Sequence, residues 1–104
     1  MRLPATRRPT ALFCTNGRIA AGALRALDVL NISVPQTVSV TAICETTDGA
    51  TSPLPLTAVQ MPLRRMGECA VEKLLDRIHV GVSAGSNVLI SAELSVRNSV
   101  APPP

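Results

Sequence analysis

Residues 10–43 place two short apolar runs on either side of one amphipathic stretch, and this order leaves few folds open. Ala11-Leu12-Phe13-Cys14 is a brief apolar run suited to a buried strand. Thr15-Asn16-Gly17 is a turn signal, and Asn16 is a good helix N-cap. From Arg18 onward Ile19, Ala20, Ala23, Leu24, Leu27 and Leu30 recur at helical spacing, with Arg25 and Asp28 between them. Asn31 can close this helix in the left-handed conformation, and Pro35 prevents its continuation. Val38, Val40 and Ala42 then alternate with Ser39 and Thr41, and Ile43 extends this second strand. Strand, helix and strand so close together predict parallel pairing and a right-handed crossover. Ligands of such units bind beyond the C-terminal strand ends. Those ends carry Cys14-Thr15-Asn16 and Cys44-Glu45-Thr46.

The remainder reads as further α/β structure. Residues 45–55 are rich in Thr, Gly, Ser and Pro and predict a loop. Leu56 to Val59 predict a short strand, and Pro62 sits well at a helix start. Leu63, Met66, Ala70, Leu74 and Ile78 form an apolar stripe, with Arg64 and Glu68 spaced to pair one turn apart. Gly81 ends that helix, and residues 83–87 predict a turn. Val88 to Ile90 and Ala92 to Val96 are strand-like, and Pro102-Pro103-Pro104 predict a disordered end. Residues 1–9 form an irregular basic lead-in.

Composition narrows the function. Phe13 is the only aromatic residue, so the core must come from aliphatic side chains, and no platform exists for stacking bases. The net charge of +3 is concentrated in Arg2, Arg7 and Arg8, which read as a solvated end or as a weak phosphate-touching arm. Cys14, Cys44 and Cys69 are odd in number and lack metal-type spacing, which predicts a reducing, cytoplasmic setting, no metal and no cofactor. No signal-like h-region opens the chain, and no apolar stretch approaches the ~20 residues of a membrane span. Ser52, Ser83 and Ser86 lack a nearby general base, His79 sits at a helix end, and the glycines form no phosphate loop. An enzyme is therefore not expected.

Several short motifs occur in a telling order. The stretch "RPTALFCTNGRIAAGALRALDVLNISVPQTVSVTAI" resembles the third quarter of a LacI/GalR-type sensor domain. "PLPLTAVQMPLRRMGECAVEKLLDRI" resembles the segment that follows in that family, and "ELSVRNSVAPP" resembles its final strand. The resemblance spans residues 9–103. It implies part of a periplasmic-binding-protein-like α/β fold, a parallel βαβ core with a second helix and C-terminal strands. It also implies a small-molecule effector such as a sugar or nucleoside, a homodimer, and operator DNA bound through a helix-turn-helix that this sequence does not contain. Residues 10–57 and 88–100 would belong to the C-terminal lobe, and residues 58–80 to the N-terminal lobe, which is expected to be absent. The family's dimer surface falls near Ala21, Leu24 and Arg25. A sugar-binding protein of a transporter shares the fold and is the alternative. The missing signal sequence and the cysteines weigh against it.

The resemblance also suggests a site. Asn16 matches a ligand-contacting Asn of the family, and the cap and ligand roles can overlap. Cys44 stands where the family usually has a ligand-binding Asp, and Met61 where many members carry Gln. A thiol and a thioether grip hydroxyl groups poorly. The effector would then differ from an ordinary sugar, or binding would have decayed. Glu45 occupies the position of a second common Asp and is the candidate for a partial substitute, although successive strand residues face opposite ways.

Overall fold

The computed structural model describes residues 3–44, 54–81 and 87–104. The loop expected at 45–55 and the turn expected at 83–87 lie largely outside the described residues. Elements follow the order β1 (Ala11–Cys14), α1 (Gly17–Val29), β2 (Ser39–Cys44), β3 (Thr57–Gln60), α2 (Leu63–Val80) and β4 (Glu93–Ser95), after a short 3-10 turn at Ala5–Arg7.

The strand–helix–strand reading holds. β1 pairs with β2 in parallel, Ala11 opposite Ser39 and Cys14 opposite Ala42. The Asn16 side chain accepts a hydrogen bond from the Ile19 N–H at 2.9 Å, which satisfies one of the free donors in the first turn of α1. Replacing Asn16 with Ala is expected to cost about 1 kcal/mol, measured by urea denaturation. At the far end Asn31 takes a positive φ of 53°, and the Ile32 N–H bonds back to the Leu27 carbonyl at 2.9 Å.

β3 adds in parallel to β2, and β4 closes the order β1-β2-β3-β4 by pairing antiparallel with β3. β3 runs to Gln60, so residues 58–60 pair within this sheet, beyond the lobe boundary expected at 57. Val88 to Ile90 form no strand, a difference from the sequence expectation. Among the described residues they have no neighbouring strand to pair with, and only Glu93–Ser95 of this segment reach the sheet edge.

Alternation along β2 sorts the two faces. Val40, Ala42 and Cys44 are buried, whereas Ser39, Thr41 and Ile43 are half-buried. The buried set packs with Ala20, Leu24 and Leu27 of α1, and with Cys14, Leu56 and Ala58, into one aliphatic core. Each large side chain so buried contributes roughly 1.5–3 kcal/mol.

The final segment locks the starts of β2 and β3 together. Ser99 is fully buried. Its hydroxyl donates to the Val40 carbonyl and accepts from the Thr57 N–H, and its carbonyl accepts from the Val40 N–H at 2.8 Å. Ser39 Oγ exchanges two hydrogen bonds of 3.1 Å with the backbone of Ala101. Arg97 adds a backbone N–H to Thr57 Oγ1 and a guanidinium N–H to the Leu56 carbonyl.

The helix α2 stands apart. None of its residues is buried, and α1 is the helix that packs on the sheet. Arg64 and Glu68 pair at 3.2 Å as their spacing predicts, and Gly81 ends the helix with φ 85°. The radius of gyration is 18.8 Å, against roughly 13 Å for a compact domain of this size.

Candidate ligand site at the strand ends

The C-terminal ends of β1, β2 and β3 converge on one edge of the sheet, and the N-terminus of α1 rises from the same edge. Asn16 lies one residue beyond the end of β1, after Thr15, and is half-buried. Its Oδ1 is committed to the helix cap, so the side-chain amide N–H groups are what a ligand would meet.

Cys44 ends β2 and is 1% exposed. Its thiol lies against the first residue of α1: a Cβ added at Gly17 would come within 3.4 Å of Cys44 Sγ. Strand end and helix start thus lie side by side, at a separation where a Cβ on Gly17 would make ordinary contact with the thiol. Cys44 thus belongs to the aliphatic core. The Met61 N–H donates to the Cys44 carbonyl at 2.9 Å, so β2 and β3 hand Cys44 and Met61 to the same place. The structure therefore gathers Asn16, Cys44 and Met61 at one edge, with a capped oxygen, an enclosed thiol and a half-buried thioether. Sequence reasoning did not foresee how deeply Cys44 is enclosed.

From Met61 an open groove of about 660 Å³ runs between α2 and residues 87–92, past Met66, Cys69, Ala70 and Leu89. A smaller groove of about 220 Å³ lies on α1 and is lined by Leu24, Arg25, Asp28, Ile32, Val34 and Leu54. The expected dimer residues divide here. Leu24 points into its own core, Ala21 is half-buried and Arg25 is exposed.

Burial pushes the Cys14 thiol above its ordinary value of 9.0, because desolvation penalises the thiolate. The folded chain then holds this proton at pH values where the unfolded chain has lost it. Its contribution is complete below the ordinary thiol range and declines as pH rises through about 9 and above. Chemical denaturation across pH 8–11 is expected to show stability falling with pH, and Cys14→Ala is expected to flatten that slope.

Parallel strands that present a helix N-terminus and convergent side chains at their C-terminal ends define a ligand-binding α/β lobe. Residues 1–100 match the periplasmic binding protein-like domain, and the chain belongs to that family, alongside the LacI-type transcriptional regulators. It is 36% identical over 98 residues to the HTH-type transcriptional repressor PurR of Erwinia tasmaniensis, covering 94% of this chain and 29% of the repressor. Among solved structures it is similar to the transcriptional regulator CelR in complex with cellobiose, with a TM-score of 0.80 and 28% identity over 86% of this chain and 28% of that one. It is also similar to a LacI family regulator from Enterococcus faecium with bound ribose, with a TM-score of 0.78 and 26% identity over 89% of this chain and 35% of that one. The chain spans less than a third of the length of the curated repressor it matches. Among the described residues no helix is long and apolar enough to cross a membrane.

Proposed function

We propose that these 104 residues serve the effector-sensing domain of a cytoplasmic, non-enzymatic transcriptional regulator. The convergence of Asn16, Cys44 and Met61 at the strand ends, beside the N-terminus of α1, carries this reading. Cellobiose and ribose are the ligands of the two structural relatives. A sugar or nucleoside is accordingly the effector class proposed here, with Asn16 donating to it and Met61 offering an apolar contact. In this reading α2 packs on a second lobe, Ala21 and Arg25 face a dimer partner, and operator DNA is bound by a helix-turn-helix elsewhere in the regulator. Effector binding would shift the regulator between two states of different operator affinity. The repressor relative favours this over a transporter's binding protein.

A chimera tests the reading. The segment of the Erwinia PurR repressor that aligns with this chain is replaced by it, and operator retention is followed by gel shift against a panel of mono- and disaccharides, nucleosides and purine bases. At least one class is expected to change operator affinity fivefold or more. A folded, operator-bound chimera that responds to none of them would refute the sensor role.

A further inference from the structure

A ligand hydroxyl both donates and accepts, so a site that holds hydroxyl groups needs side-chain acceptors as well as donors. The edge where the strands end is short of acceptors. Asn16 has committed its Oδ1 to the Ile19 N–H and keeps only donors. The Cys44 thiol is enclosed, and thiol and thioether sulfurs accept weakly in any case. Gln60, the last residue of β3, ends at the same edge with an amide that can do both.

Register and alternation fix where Gln60 stands. It lies directly opposite Cys44 across β2 and β3, so the two side chains share the face of the sheet that α1 covers. Ala58, two residues earlier on that face and opposite Ala42, is fully buried, whereas Gln60 is half-buried. Within this one step the face passes from closed core to accessible edge. Among the described residues the Gln60 amide has no hydrogen-bond partner. Thr15 and Glu93 carry acceptors nearby, but both are exposed and keep their water. The Gln60 Oε1 is partly withdrawn from water and unpaired, so a ligand hydroxyl that reaches it displaces little hydration.

We propose that Gln60 is the specificity-determining residue of this site, its Oε1 accepting from one ligand hydroxyl while an Asn16 amide N–H donates to another. This rests on the sensor reading and deepens it: the effector presents a hydroxyl-bearing ring, as a free sugar or as the sugar part of a nucleoside, and a free base is excluded. β1 and β3 flank β2 and stand about 10 Å apart, a gap that a sugar ring fills when one side chain reaches toward it from each side. With the acceptor supplied from β3, the end of β2 needs no polar group, which accords with the enclosed Cys44 between them.

The chimera with the Erwinia PurR repressor tests the assignment, with ribose, cellobiose and adenosine as probes and adenine as a base without hydroxyl groups. At least one of the three hydroxyl-bearing probes is expected to shift operator affinity, and adenine is not. Gln60→Leu is expected to raise the probe concentration for half the shift at least tenfold, because a hydroxyl is left unpaired. Gln60→Glu keeps an acceptor oxygen in place and is expected to raise it by about threefold or less. Melting temperatures check that both variants fold. Where Gln60→Leu does not, Gln60→Val, which suits a strand, carries the same expectation. A chimera that responds to none of the four compounds overturns the sensor reading and this proposal with it. A response that Gln60→Leu leaves unchanged overturns this proposal alone. So does an equal loss in the Leu and Glu variants, which would mean that the shape of Gln60 matters and its acceptor does not, and so does a response to adenine as strong as that to adenosine.

Discussion

Replacing Ser99 with Ala is expected to destabilise this fold by about 3 kcal/mol, a large part of the 5–15 kcal/mol typical of a folded domain. The Ser99 hydroxyl is fully buried and makes two hydrogen bonds, to the Val40 carbonyl and from the Thr57 N–H. Removing it leaves an acceptor on β2 and a donor on β3 unsatisfied where water has no access. Each such group costs about 1–3 kcal/mol, well above the ~1 kcal/mol net value of an ordinary hydrogen bond. The loss also falls where the last segment of the chain closes onto β2 and β3, so Ser39–Ala101 and Asn98–Pro55 are expected to loosen with it. Urea denaturation of S99A is the measurement. Ser95→Ala, at a half-buried position of β4, is the control and should change stability by no more than about 0.5 kcal/mol. Equal effects at the two positions would mean that the buried bridge contributes nothing special.

Ser99 also marks where sequence reading stops. β1, α1 and β2 are legible because their signals are local: an alternating run, a cap residue at Asn16, a left-handed terminator at Asn31. The role of Ser99 depends on two strands 42 and 59 residues away, and no periodicity announces it. The same holds for the strand predicted at Val88 to Ile90. Its composition is strand-like, but a strand needs a neighbour, and among the described residues only Glu93–Ser95 find one. The helix stripe of α2 was legible from its periodicity, and its lack of a covering sheet was expected only through the family resemblance, since amphipathicity reports which face is apolar and not what lies against it. At the strand ends the identities of Asn16, Cys44 and Met61 were legible. Their geometry required the Gly17 approach and the Met61–Cys44 bond.

The second large effect is expected from Cys44→Asp, which places a carboxylate where the LacI/GalR resemblance leads one to expect it. Two influences oppose each other. The N-terminus of α1 lies beside the side chain and favours an anion by about 0.3–1 kcal/mol, up to about 2 in a partly buried geometry. Against it stand the desolvation of a charge at a position 1% exposed, which costs several kcal/mol, and the insertion of a carboxyl group larger than the thiol into an enclosed site. The unfavourable side wins, and we expect a net loss of about 3 kcal/mol at pH 7. Burial would raise the pKa of this new carboxyl above its unfolded value of about 3.9. The folded state then binds the proton more tightly, so the loss is smallest below about pH 4 and grows as pH rises through the folded pKa. Denaturation of C44D and wild type between pH 4 and 8 reads this difference directly. A C44D chain as stable as wild type at pH 7, with thermal stabilisation by ribose or cellobiose that wild type lacks, would show that position 44 faces an open sugar site. The thiol would then have cost the domain its grip on hydroxyl groups. The expected destabilisation means instead that the core has closed around Cys44, and that any effector must be held through Asn16, Met61 and the surfaces beyond them.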